Sequence, residues 1–275
     1  MRASTKLDGW RRVASAMWHA PDDPQIFGAL DVDAAPTLAF IARARAAGYH
    51  LTATTVVGRA VAHVLHEVPD LNVRIRRGRV RPRASVDVFF ITAVAKGHDL
   101  SGVAVANADT KSAIEIAHEL AERSTAMKQG NDRELAQTKR MLDHTPPFLL
   151  RSALKVTAFL TQELELDLPA LSLRRTPFGS AMVTSVGMFG LPQGFAPLAW
   201  MYDVPLLVLV GEITARPVVV DGRVVARDVL PITATIDHRY ADGWHVSQAM
   251  KAFRAYLAAP ESFEPKLAIP AATAM

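Results

Sequence analysis

The stretch Thr235-Ile236-Asp237-His238-Arg239-Tyr240-Ala241-Asp242-Gly243-Trp244-His245 joins two unlike patterns. Residues 230–236 before it are apolar and rich in strand formers. Residues 244–258 after it are amphipathic and stop ahead of Pro260. The spacing predicts a strand, a tight connection and a helix. A histidine on such a junction is held rigidly, and imidazole is the side chain best suited to exchange a proton near neutral pH. His238 is therefore a candidate general base, with Asp242 four residues beyond it. A histidine and an aspartate at this spacing also occur as plain surface pairs, so the strand-to-helix context carries the reading.

Half of the 275 residues are apolar and 21% are charged, enough for a full core in one large domain or two small ones. No apolar run is long enough to span a bilayer, and the first residues lack a secretory core, so no transmembrane segment and a cytoplasmic location are expected. Cysteine is absent, which excludes disulfides, thiolate metal sites and a cysteine nucleophile. A formal net charge of +4 is too small to argue for nucleic acid as a partner.

The charge is uneven. Arg74, Arg76, Arg77, Arg79, Arg81 and Arg83 alternate with Ile75, Val80 and Pro82 about Gly78. Such a ribbon is either an anion site, for phosphates among others, or a solvated hairpin whose arginines discourage edge pairing. Period-two alternation is what an exposed hairpin shows, so we expect the solvated form. Elsewhere the pattern predicts a helix over 9–17, a strand over 26–32, helices over 36–47, 51–67 and 111–128, and strands over 86–94, 182–186 and 206–213. Asp221-Gly222 lies between valine-rich runs and marks a hairpin. There is no G-x-G-x-x-G, phosphate-loop or G-x-S-x-G sequence and no metal-spaced histidine cluster. His63 and His66, three apart, read as ordinary helix residues.

Taken together the motifs resemble the catalytic domain of 2-oxo acid dehydrogenase acyltransferases and of chloramphenicol acetyltransferase. Residues 237–243 look like the family's D-H-R-x-x-D-G block. Thr184-Ser185-Val186-Gly187-Met188-Phe189-Gly190 is similar to its [S/T]-N-x-G-x-x-G segment. Residues 211–230 resemble the strand and hairpin before the motif, 97–113 the loop and helix start of the first half, and Leu71-Asn72 the step after Pro69. Trp10-Arg11-Arg12 resembles the N-terminal helix of the acetyltransferase. Ser185 stands where asparagine is usual and Val103 where proline is common. Residues 131–178 are longer than the usual link, and within them 148–164 form an amphipathic pattern with Leu149, Leu150, Ala153, Val156, Leu160 and Leu164 on one face. That face would form a lid, a membrane contact or an acyl-chain wall, or pack on the core or a neighbouring subunit; packing is the expectation.

The resemblance implies a single catalytic domain over 1–275 with a helical insertion at about 131–178. It implies an α/β (α+β) two-layer sandwich of a mixed sheet against helices, assembled as a homotrimer or a multiple of three. It implies coenzyme A, or its acyl form, as substrate, no metal, and no lipoyl group on this chain. The acceptor would be a lipoyl domain in trans or a small molecule with a thiol or hydroxyl. His238 would be the base and Thr184 the oxyanion donor, with Ser185 in reserve. Asp242, followed by Gly243, would hold the histidine loop through an ion pair with Arg11. The competing expectation is a trimeric scaffold subunit that has lost turnover.

Overall fold

The computed structural model describes residues 23–94, 99–128, 146–168, 175–199 and 202–264. The helix expected at 9–17, with Arg11, lies outside these residues. The described strands are β1 (Gln25–Asp33), β2 (Val73–Arg76), β3 (Arg79–Pro82), β4 (Val88–Val94), β5 (Asp99–Val105), β6 (Ala181–Ser185), β7 (Leu206–Val210), β8 (Thr214–Val220) and β9 (Arg223–Asp237). The described α-helices are α1 (Ala35–Ala46), α2 (Ala53–Glu67), α3 (Ala113–Lys128), α4 (Pro147–Ala158) and α5 (Gly243–Ala258). No helix among the described residues is long and apolar enough to cross a membrane.

Seven strands form one sheet in the order β1-β9-β7-β6-β4-β5, with β8 on the first half of β9. Strands β4, β6 and β7 run parallel and the other pairs antiparallel. Side chains alternate across the pleat. Val183, Val208, Leu230 and Ile232 therefore pack under Phe40, Val57, Leu65, Ile116 and Tyr256 of the helices. Met182 and Leu207 point the other way, into a small cluster with Val204, Phe89, Phe178 and Tyr202. This is the expected two-layer α/β sandwich with a mixed sheet.

The sequence separates a hairpin strand from a final strand, whereas the structure runs them together as β9. The hairpin is as expected: Asp221 and Gly222 take φ of 50° and 76° and bring Val220 opposite Arg223. The joining is permitted by where Pro231 falls. Residues 223–229 pair with β8 and 232–236 with β7, so Pro231 sits at the handover, where neither strand needs its missing N–H. Its carbonyl is still used, accepting from Gly211 N at 2.9 Å.

Capping explains the helix starts. Thr52 and Thr55 form a reciprocal capping box at α2. At α3, Ser112 Oγ accepts from Glu115 N at 3.1 Å, while the Glu115 carboxylate accepts from Ser112 N at 2.7 Å. Helix α4 begins where expected but gives way after Ala158 to a π-helical turn, Phe159–Glu163. Leu149, Val156, Phe159 and Leu164 are exposed, so the apolar face of this segment is not buried on the core of its own chain.

Strand β4 locks to α2 through one close approach. A Cβ at Gly58 would lie 2.2 Å from the Phe90 ring, and Phe90 is buried. Glycine here is a packing requirement. Gly58→Ala should lower the unfolding free energy by about 1–3 kcal/mol through overpacking, read by urea denaturation. Phe90→Leu in the same chain should return part of that loss. A Gly58→Ala protein as stable as wild type would mean the ring moves aside freely.

Candidate active site

His238 follows the last residue of β9. Its backbone N–H donates to Pro24 O at 2.8 Å, which fixes the turn to the start of β1. The adjacent Asp237 is buried and tied on both sides. Its N–H donates to Pro205 O at 2.9 Å, and its carboxylate accepts from Arg239 N at 2.9 Å and from Arg239 Nε at 3.0 Å. The hydrogen bond to Asp237 raises the Arg239 pKa; burial opposes this, but the charge of the same carboxylate adds to the hydrogen bond and leaves the pKa raised. The His238 side chain is exposed, and no hydrogen bond to its ring is present among the described residues.

Tyr240 anchors the turn from below. It is buried, and its hydroxyl donates to Asp203 Oδ1 at 3.2 Å. Burial and then the Asp203 charge push its pKa up. Asp203 is paired in turn with Arg76, which also donates to Gln162 O at 2.7 Å. Burial opposes the Arg76 charge, but the hydrogen bond and charge of Asp203 outweigh it and leave that pKa raised. Arg83 donates to the Asp203 backbone carbonyl and to Val73 O. The arginine ribbon is thus only half the solvated hairpin expected from its alternation: β3 and the turn are exposed, but β2 is mostly buried. Its turn at Arg77-Gly78 is as predicted, with φ of 50° and 70°, but Arg74 and Arg76 are each only 7% exposed. Sequence reasoning missed Asp203 and Tyr240 as supports of the histidine loop. Tyr240 lies inside the motif and is the one signal that was available.

The expected ion pair of Asp242 with Arg11 falls outside the described residues, and the structure shows a further role for Asp242. It is the N-cap of α5. Its carboxylate accepts from Trp244 N at 3.0 Å, His245 N at 3.1 Å and the His245 ring at 2.7 Å. Gly243 is the first residue of the helix. Asp242 therefore holds the helix that follows the loop, and among the described residues it forms no hydrogen bond with the His238 ring.

Thr184 and Ser185 end β6, on the rigid part of the sheet. Val186 N donates to Val210 O at 3.0 Å, and a Cβ at Gly187 would lie 2.6 Å from Gly211 O, so the chain after the pair is pinned against β7. Thr184 shares the open face with Met182, whereas Ser185 shares the helix face with Val183. The two hydroxyls are not interchangeable.

Register places His238 and Thr184 at opposite ends of the sheet. Thr184 aligns with Leu209, and Leu209 with Thr233, while His238 lies five residues farther along β9. That is roughly 17 Å along the strands and about 10 Å across two strand spacings. The structure does not bring the two together within one chain.

The sequence model of one family, described as 2-oxoacid dehydrogenases acyltransferase (catalytic domain), matches residues 3–138 and 171–264. Among solved structures, a probable dihydrolipoamide acetyltransferase from Listeria monocytogenes is 21% identical over 96% of this chain and 97% of that one, with a TM-score of 0.63. The cubic core of the pyruvate dehydrogenase multienzyme complex is 20% identical over 88% of this chain and 84% of that one, with a TM-score of 0.64. The dihydrolipoamide acetyltransferase of Azotobacter vinelandii gives the same identity and coverage with a TM-score of 0.63. At these identities the solved structures establish the shared fold.

The cap has a pH signature. The His245 backbone N–H and then its imidazole hold the Asp242 carboxyl below its ordinary value of 3.8. A lowered folded-state pKa gives stabilisation that is complete above the ordinary value and lost as pH falls through the lowered one. Asp242→Asn keeps a neutral acceptor but has no carboxylate to protonate. Melting curves between about pH 2 and 5 should therefore fall less steeply for the variant than for wild type. Parallel curves would show that the cap adds nothing in acid.

Proposed function

Because the chain belongs to the family of 2-oxoacid dehydrogenase acyltransferase catalytic domains, we propose that it moves an acyl group between coenzyme A and a thiol or hydroxyl acceptor, with His238 as base and Thr184 as oxyanion donor. The attacking thiol or hydroxyl gives its proton to the His238 imidazole as its sulfur or oxygen adds to the thioester carbonyl. The carbonyl oxygen becomes an oxyanion that accepts a hydrogen bond from the Thr184 hydroxyl. Collapse of the tetrahedral adduct expels the first thiol, which takes the proton back from His238. Neither step leaves a group on the protein.

The observation that carries the reading is the separation of the two residues. A histidine at one end of the sheet and a hydroxyl at the other, on a protein of this family, act together when one copy's His238 end meets another copy's Thr184 end. The exposure of His238 in a single chain fits this, since acyl transfer needs water excluded from the base. So does the apolar character of the surface beyond β6: Met188, Phe189, Leu191, Phe195 and Phe27 are all at least 47% exposed. A ring of three copies gives each His238 a neighbouring Thr184 with every interface alike. In the Azotobacter vinelandii enzyme a serine, a histidine and an asparagine have been investigated for their role in catalysis. Thr184 and His238 offer the hydroxyl and imidazole of that set.

The acceptor is a thiol or hydroxyl compound, whether a lipoyl group on another chain or a free small molecule. The unmatched stretch 139–170 contains α4 and the π-helical turn, which we read as an insertion that shapes the acceptor side.

His238→Ala should remain folded and lose at least about two orders of magnitude in turnover, measured as thiol release from acyl-coenzyme A. Thr184→Ala should lose about 10²–10³. Equal amounts of the two inactive proteins, mixed under subunit exchange, should recover roughly a quarter of wild-type activity, because random neighbours pair an intact His238 with an intact Thr184 at that frequency. No recovery, with exchange verified by mass, would remove the shared site.

A further inference from the structure

The arginine ribbon holds a second cluster, which the proton transfer at His238 and the oxyanion contact at Thr184 do not involve. Arg74 and Arg81 are register partners across β2 and β3, so both guanidiniums leave the same face of the ribbon. Like charges directly opposite one another weaken such a pair. Arg81 is compensated by Glu165 at 3.2 Å, whose other oxygen lies 3.9 Å from Arg175. Arg74 has no such partner. It is 7% exposed, its Nε is buried without a hydrogen-bond acceptor, and no carboxylate among the described residues forms an ion pair with it. Burial lowers its pKa, and Asp203 only partly opposes this from a distance. A buried cation without a counter-ion is among the most costly arrangements in a protein interior.

These side chains line a cavity of about 160 Å³ with Arg83, Asp87, Gly179 and Ser180. Arg83, already bonded to two backbone carbonyls, has its pKa lowered to about 10 by burial. Four guanidiniums face the cavity against two carboxylates, Asp87 and Glu165, which leaves two positive charges uncompensated. At about 30 Å³ per water, the space takes a tetrahedral oxyanion and leaves room for its linkage. Guanidinium forks match phosphate oxygens in pairs.

We propose that Arg74, Arg81 and Arg175 form a binding site for a phosphoryl dianion. The cavity meets the start of β6, at the His238 end of the sheet. The phosphoryl group comes either from coenzyme A or from a separate phosphorylated compound. The site itself does not depend on the acyl-transfer reading.

Inorganic phosphate is the probe, compared with chloride at equal ionic strength. Saturating phosphate should raise the wild-type melting temperature by about 2–4 °C or more. Arg74→Leu should melt higher than wild type without phosphate, since the unpaired charge is gone, and should show no phosphate-dependent rise. Arg175→Leu removes a side chain at the rim. It should leave the phosphate-free melting temperature unchanged and weaken phosphate at least about tenfold by calorimetry. Equal melting of wild type in the two salts overturns the site, as does an undiminished phosphate shift in both variants. Competition between phosphate and coenzyme A, with pantetheine binding insensitive to Arg175→Leu, assigns the phosphoryl group to coenzyme A. Simultaneous binding of phosphate and coenzyme A assigns it to a separate compound, and both results uphold the site.

Discussion

Strand β9 exchanges hydrogen-bonding partners along its length, and the placement of everything else follows from that exchange. Its first half answers β8 and its second half lies between β1 and β7. The handover needs one residue from which neither neighbour requires an N–H, and Pro231 is that residue. A central strand buried on both sides cannot slide without turning its apolar residues to the wrong face. The end of β9 is therefore fixed, and His238 inherits that position. The turn beyond it is held by the buried Asp237, whose carboxylate accepts from Arg239 within the turn and whose N–H reaches Pro205 O, and by the buried hydroxyl of Tyr240, which reaches Asp203.

The ribbon of arginines belongs to the same support. Arg76 reaches Asp203, which receives Tyr240, two residues past His238. It also reaches Gln162 O, and Arg77 reaches Glu163 O, so the ribbon braces the π-helical turn below α4. One buried guanidinium thus links the histidine loop to the segment between the family's two matched stretches. Losing Asp203 would strand Arg76 as a buried charge, and losing Arg76 would strand Asp203.

Periodicity revealed most of the elements, and the strand-turn-helix around His238 was legible from residues 230–258 alone. What escaped did so for physical reasons. Proline usually interrupts a strand, so the continuity of β9 depends on a partner change that only three-dimensional pairing reveals. Alternation in the arginine ribbon was correct as local structure and correct as to solvent for β3 only, since β2 is mostly buried. The group that buries Arg76 is 127 residues away, and no local pattern reports it. Asp242 was read through the family's ion pair, although an aspartate just before an amphipathic run is also a helix-cap signal. Which of Thr184 and Ser185 faces the open side of the sheet was not decidable from the motif, because it depends on the register of β6 against its neighbours.

The distance between His238 and Thr184 has a kinetic meaning. On the two-copy reading, a lone chain carries half of two different sites and a whole one of neither. Specific activity then becomes a function of protein concentration, negligible below the dissociation constant of the assembly and constant above it. Substrate that bridges the two halves would shift that threshold downward, so the enzyme would assemble most readily where its substrate is abundant.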